Sequence, residues 1–158
     1  MHASGRASPR LMFALFAWSP MLEGIRKAAL IYNPLAGGGG PRRKQDLARA
    51  QQILAAAGIR AEIQPTSVPG DAGPLAARAA MAGAQMIIGC GGDGTINEII
   101  NGLRDAEMQG SVANNVPLAI LPAGTANVLA KELGIPWNIP RAAELIANGV
   151  PARVALGR

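Results

Sequence analysis

Three apolar runs in this chain each end in a loop of small residues, and each loop opens straight onto a helical pattern. The loops read NPLAGGGG (33–40), GCGGDGT (89–95) and LPAGTAN (121–127). A short apolar run bounded by turn residues is a buried strand. Strands separated by helices of about 10–15 residues require a parallel sheet with helices on both faces. The carboxyl ends of such strands form the ligand crevice. The expected fold is therefore α/β, a Rossmann-like parallel sheet, with all three loops on one sheet edge.

The rest of the chain fits that frame. AALIYNP (28–34) is a strand, and the helix RKQDLARAQQILAAAG (43–58) puts Leu47, Ala50, Leu54 and Ala57 on one face with Gly58 as its stop. IRAEIQPT (59–66) alternates as a half-buried strand should, GDAGPLAARAAMAGA (70–84) reads as a helix and QMIIGCGG (85–92) as a strand. In the next helix Ile96, Ile99, Ile100 and Leu103 recur at the spacing of a buried stripe. VPLAILPAG (116–124), a short helix TANVLAKELG (125–134), a last helix PRAAELIANG (140–149) and the start of a strand at ARVALGR (152–158) complete the pattern.

Glycine at the mouth of a helix costs roughly 0.5–1 kcal/mol per position relative to alanine. In the run Gly89–Gly102, GCGGDGTINEIING, that cost has a chemical reason. The first N–H groups of a helix lack partners and its dipole favours an anion, so bare backbone lets a polyphosphate lie against them. Other readings stand beside this one. Thr95-x-x-Glu98 is also a capping box, and Asp93 is also a first-turn acid serving the dipole. Asn33, Asn97 and Asn127 also suit turns and caps. The loop GGGGPRRK adds Arg42, Arg43 and Lys44, either as phosphate ligands or as a solvated charge run. Three such loops on one edge favour a phosphate.

Charge narrows the partners. The formal net charge is +5, but residues 1–44 carry +6 and the remainder −1. With aromatic residues at 3% and no basic stripe, nucleic acid is excluded as a partner; anionic lipid or nucleotide phosphate fits. The lone Cys90 allows no internal disulfide, suits a reducing compartment, and reads as a small buried hydrophobe. The run LMFALFAW (11–18) is too short to span a bilayer, and no A-x-A cleavage site precedes Pro20. Residues 1–24 are therefore expected to be a poorly ordered extension, either a tail touching a membrane or sequence upstream of a start at Met21.

NPLAGGGG, GCGGDGTINEIING and LPAGTANVLAKELGIP, in this order and spacing, resemble the diacylglycerol kinase catalytic domain, a family that includes bacterial lipid kinases, sphingosine kinases and ceramide kinases. The resemblance runs from about Ile25 to Arg158, and TSVPGDAGPLAARAA also resembles the family's Thr followed by Gly-Asp-Ala. It implies an NAD kinase/diacylglycerol kinase-like N-terminal domain over residues 25–158, with a β-rich C-terminal domain missing. It implies ATP and Mg²⁺ as cofactors and transfer of the γ-phosphate to a lipid hydroxyl, diacylglycerol being the expected acceptor class. Asn33, Thr66, Gly91, Gly92, Asp93, Gly94, Thr95, Asn97, Glu98, Gly124 and Thr125 would contact the nucleotide, Asp93 acting as the catalytic residue through the magnesium–phosphate network. No residue is assigned as a metal ligand. Many bacterial members have aspartate where Val128 stands, an acid linked to a magnesium network that also involves an aspartate resembling Asp71. Expected partners are ATP, a lipid at a membrane surface and a second copy in a homodimer. The expected location is the cytoplasm, at the inner membrane face. On this reading the chain alone is inactive, since the missing domain supplies the general base. The competing readings are a nucleotide-binding module without activity, and an NAD kinase, which shares GGDGT but differs from PAGTANVLAKEL.

Overall fold

The computed structural model describes residues 10–15, 24–112 and 116–155. The apolar runs become strands β1 (Arg10–Leu15), β2 (Lys27–Tyr32), β3 (Arg60–Pro65), β4 (Met86–Gly91), β5 (Leu118–Pro122) and β6 (Val150–Ala155). The periodic segments become helices α1 (Pro41–Ala56), α2 (Ala72–Met81), α3 (Asp93–Met108), α4 (Val128–Glu132) and α5 (Ile139–Asn148). One sheet holds the strands in the order β3-β2-β4-β5-β1-β6. The first five in that row run parallel, and β6 runs antiparallel to β1.

β4 is buried along its whole length, as its unbroken apolar sequence requires of a central parallel strand. Helices α1 and α5 pack together over one face of the sheet, α2 and α3 over the other. Helix α3 seats Ile96, Ile99, Ile100 and Leu103 in the core. Each large apolar side chain buried this way contributes roughly 1.5–3 kcal/mol. Gly89 in β4 permits the close seating: a Cβ there would lie 2.7 Å from Ile96 Cδ1.

In α1, Leu47, Ala50 and Leu54 are buried, but Ala57 is the exposed C-cap, beyond the last helical turn rather than on its inner face. Gly58, at φ 81°, stops the helix. Its N–H reaches Ala55 C=O and that of Ile59 reaches Leu54 C=O, both at 2.9 Å, which closes the open carbonyls.

β1 departs from the sequence reading, and β6, expected as a strand, pairs antiparallel with it. Residues 10–15, RLMFAL, were expected in an extension outside the fold; here they lie between β5 and β6, with Phe13 opposite Leu118 and Leu15 opposite Val150. An apolar hexapeptide next to the unpaired edge of β5 satisfies its backbone by joining the ladder. Residues 1–9 and 16–23 of the expected extension, including Trp18 and Met21, lie outside the described residues, as do residues 156–158 of the last strand pattern. No helix among the described residues is long and apolar enough to cross a membrane.

Candidate functional site

The chain leaves β2 toward β3 on one side and returns through β4 to β5 on the other, so β2 and β4 are neighbours whose outgoing connections diverge. Such a switch point opens a crevice at the carboxyl ends of the two strands. A cleft of about 460 Å³ lies there, walled by the β2–α1 loop, the β3–α2 loop, the start of α3 and the β5–α4 loop. Asn33, Thr66, Gly92, Gly94, Thr95, Glu98, Gly124 and Thr125 all line it. Of the other expected contacts, Gly91 is buried within β4, Asn97 is exposed on α3, and Asp93 stands beside the β5–α4 loop; none of the three lines the cleft.

Local geometry shows why these residue types are needed. Asn33 ends β2, and its side chain works in two directions: Oδ1 accepts the N–H of Leu35 at 2.9 Å, and Nδ2 donates to Thr95 Oγ1 at 3.2 Å. Thr95 is buried against Gly91, where a Cβ would fall 2.5 Å from its side chain. The capping box that Thr95 and Glu98 offered as an alternative reading does not form. Helix α3 starts at Asp93 with Gly92 as N-cap and no side-chain cap, so Thr95 is already in the first turn and faces inward. Glu98 instead accepts the N–H groups of Gly70 (3.1 Å) and Ala72 (3.2 Å) across from α3.

Asp93 retains its place in the first turn of α3, and its Oδ1 accepts the N–H of Val128 at 2.7 Å. One carboxylate thus serves the positive starts of two helices, α3 and α4. Asn127 holds the same corner. It is buried in the left-handed conformation at φ 47°, accepting from Gly124 N–H and donating to Gly124 C=O, both at 2.9 Å. Gly124 and Gly92 face each other directly, and a Cβ on Gly124 would lie 2.4 Å from the Gly92 Cα.

The basic cluster is only partly available to a ligand. Arg42 and Lys44 are exposed, but Arg43 Nη2 turns inward and donates to the Ala123 C=O at 3.3 Å. It pins the glycine loop to the end of β5, where a Cβ on Gly37 would meet the same carbonyl. Arg43 also sits beside Cys90, whose thiol is fully buried and pushed up to about 12 by loss of solvent, only partly offset by that guanidinium.

Sequence reasoning did not single out two further parts of the wall. Leu35 (83% exposed) and Val68 (60% exposed) line the cleft beside Pro34 and Pro69. Their signal was an apolar residue in a loop next to proline. Asp71 holds the β3–α2 loop by accepting the N–H groups of Ser67 (2.7 Å) and Val68 (2.9 Å) on Oδ2. Those two bonds keep its carboxyl below the ordinary aspartate value.

Comparison with known proteins gives the family of the chain. The sequence profile of the diacylglycerol kinase catalytic domain matches residues 27–158. A diacylglycerol kinase of Bacillus subtilis is 37% identical over 137 residues, covering 85% of this chain and 42% of that protein. One of Staphylococcus saprophyticus is 34% identical over 133 residues, covering 84% and 41%. A crystal structure of a diacylglycerol kinase from Bacillus anthracis superposes with a TM-score of 0.65 at 39% identity, covering 77% of this chain and 42% of that one. The chain thus spans less than half the length of these relatives. It belongs to the diacylglycerol kinase catalytic domain family, a family of kinases.

Proposed function

We propose that the cleft binds the phosphates of ATP and that the chain serves transfer of the γ-phosphoryl group to a lipid hydroxyl, with diacylglycerol as the acceptor class. The observation that carries this reading is the mouth of α3. The helical ladder begins with Ile96 N–H donating to Gly92 C=O at 3.1 Å, so the N–H groups of residues 93–95 precede it. Gly92 and Gly94 carry no side chain over them and line the cleft. Anionic oxygens placed there meet both the N–H groups and the positive end of the helix dipole. Asn33, Thr66 and Thr125 supply polar rims on three sides.

Phosphoryl transfer depends mainly on positioning and charge neutralisation. Asp93 is the proposed catalytic carboxylate. Its hydrogen bond to Val128 fixes one oxygen, which orients the group at the start of the phosphate-binding helix. Magnesium is usually held by one or two carboxylates together with substrate phosphates. The described residues contain no cluster of three His, Cys, Asp or Glu that could hold an ion by themselves. Asp93, whose carboxylate is fixed through one oxygen at the start of α3, is the residue that would hold a magnesium entering with the polyphosphate; bound there, it would neutralise charge on the phosphate oxygens. The described residues do not fit a separate magnesium network at Asp71. One oxygen of Asp71 already accepts two N–H groups, and Val128 offers no side-chain oxygen.

Titration calorimetry of the chain with ATP, with and without magnesium, tests the reading. Saturable binding strengthened by magnesium is expected; none in either condition overturns it. Incubation of a fusion of this domain to the β-rich domain of a relative with γ-labelled ATP, diacylglycerol in mixed micelles and NAD as competitor tests the acceptor, since the chain by itself is expected to transfer no label. Label is expected on lipid alone, and label on NAD replaces the acceptor class.

A further inference from the structure

The β3–α2 loop makes one wall of the cleft, and its backbone donors can be accounted for completely. Thr66 N–H donates to Tyr32 C=O at 2.8 Å, and Asp71 N–H to Val68 C=O at 3.3 Å. Ser67 and Val68 donate to the Asp71 carboxylate, Gly70 and Ala72 to the Glu98 carboxylate, and Pro69 has no N–H. Every backbone donor from 66 to 72 is therefore taken, four of them by two carboxylates. This loop offers no N–H to a phosphate; it is a built wall.

We infer that Glu98 is a positioning residue: its carboxylate, spanning the N–H groups of Gly70 and Ala72, sets the position of the 66–69 wall and fills the anion place at the start of α2. Two observations support this beyond the hydrogen bonds. First, α2 and α3 approach backbone to backbone, with a Cβ on Gly73 falling 2.8 Å from the Glu98 C=O and one on Gly102 2.4 Å from the Gly73 C=O. That contact delivers the start of α2 within reach of the Glu98 side chain. Second, Glu98 lines both the nucleotide cleft and a separate groove of about 430 Å³ between α2 and α3. The side chain is the partition between the two. With its anion place filled by the protein's own charge, α2 leaves the mouth of α3 as the seat for phosphate, and Glu98 acts through the wall rather than on the nucleotide.

This inference rests on the nucleotide reading above for its consequence, while the clamp itself does not. The test compares wild type with Glu98→Gln, which keeps the shape of the side chain but loses one acceptor and the charge, and with Glu98→Ala, which loses both acceptors. Amide hydrogen exchange by NMR is read at Gly70 and Ala72, and Mg-ATP affinity by calorimetry. Exchange at the two amides is expected to rise by about tenfold or more in Glu98→Gln, with affinity weakened about tenfold and Glu98→Ala worse on both. Unchanged protection at Gly70 and Ala72 in both variants overturns the clamp. Faster exchange with unchanged Mg-ATP affinity overturns its positioning role. Should wild type leave ATP unbound, the nucleotide reading fails, and the exchange comparison still decides the clamp on its own.

Discussion

Gly94 and Gly124 both line the cleft, yet a methyl group at the two positions meets different surroundings. At Gly94 an added Cβ has no protein atom within 4 Å; at Gly124 it would sit 2.4 Å from the Gly92 Cα and 3.0 Å from Asn127 Oδ1. Gly94 is the second residue of α3, so alanine there gains helix propensity of roughly 0.5–1 kcal/mol. For a chain of this length that raises Tm by about 1–4 °C. The same methyl occupies the space through which phosphate oxygens would reach the helix mouth, and Mg-ATP affinity should fall at least about tenfold. In Gly124→Ala the obstacle is backbone and cannot rotate away. The two loops must part, at roughly 1–3 kcal/mol and a Tm lower by about 2–12 °C. Thermal unfolding by circular dichroism and calorimetric titration on the same preparations read both quantities. The reasoning is refuted if Gly94→Ala binds Mg-ATP as tightly as wild type, because bare backbone would then serve only the turn. It is also refuted if Gly124→Ala melts at the wild-type temperature.

Asp93→Ala should lose about 1–2 kcal/mol with the charge-assisted bond to the exposed Val128 N–H. Asp93→Asn should restore most of that stability while still binding Mg-ATP poorly; denaturant midpoints and calorimetry on both variants check the pair. Cys90, buried with its thiol pushed up to about 12, should resist iodoacetamide at pH 8 in the folded chain and react once urea unfolds it; rapid labelling of the native chain refutes the packing. Asp71 carries a lowered carboxyl value, so its hold on Ser67 and Val68 is complete above the ordinary value of 3.8 and is lost as pH falls through the lower folded value. Protection of those two amides, taken relative to the intrinsic exchange rate at each pH, should fall over that acid range in wild type, and Asp71→Asn should remove that loss of protection with pH.

How much was readable in advance depends on how local each signal is. The glycine loops, the α3 stripe and the Gly58 stop are short-range patterns, and each sits where its spacing placed it. Eight of the expected nucleotide contacts come together because a parallel sheet puts all its strand ends on one edge. The misreadings came where a residue's partner is distant in sequence. Thr95 and Glu98 have capping-box spacing, but Gly91 gives Thr95 a pocket to fill, and Gly70 and Ala72 claim the Glu98 carboxylate. Arg43 reads as a free cation beside Arg42 and Lys44 until the end of β5 is brought across to meet it. The partners of β1 are more distant still. Nothing within RLMFAL names Leu118 or Val150 as its neighbours.

The position of β1 also governs how the chain can be made. Among the described residues it is the first strand in sequence and the fifth across the sheet, and its parallel partner β5 lies more than half the chain away. During synthesis from the N-terminus the apolar RLMFAL segment must wait, unpaired, until Leu118 has left the ribosome. Closing a loop of that length is entropically slow compared with forming the neighbouring β2–α1–β3 unit. β6 then docks only onto an edge that β1 has already created. Chain growth therefore orders assembly from the β3 edge outward, and a nascent chain stalled before β5 exposes a strand ready to pair with a neighbouring copy.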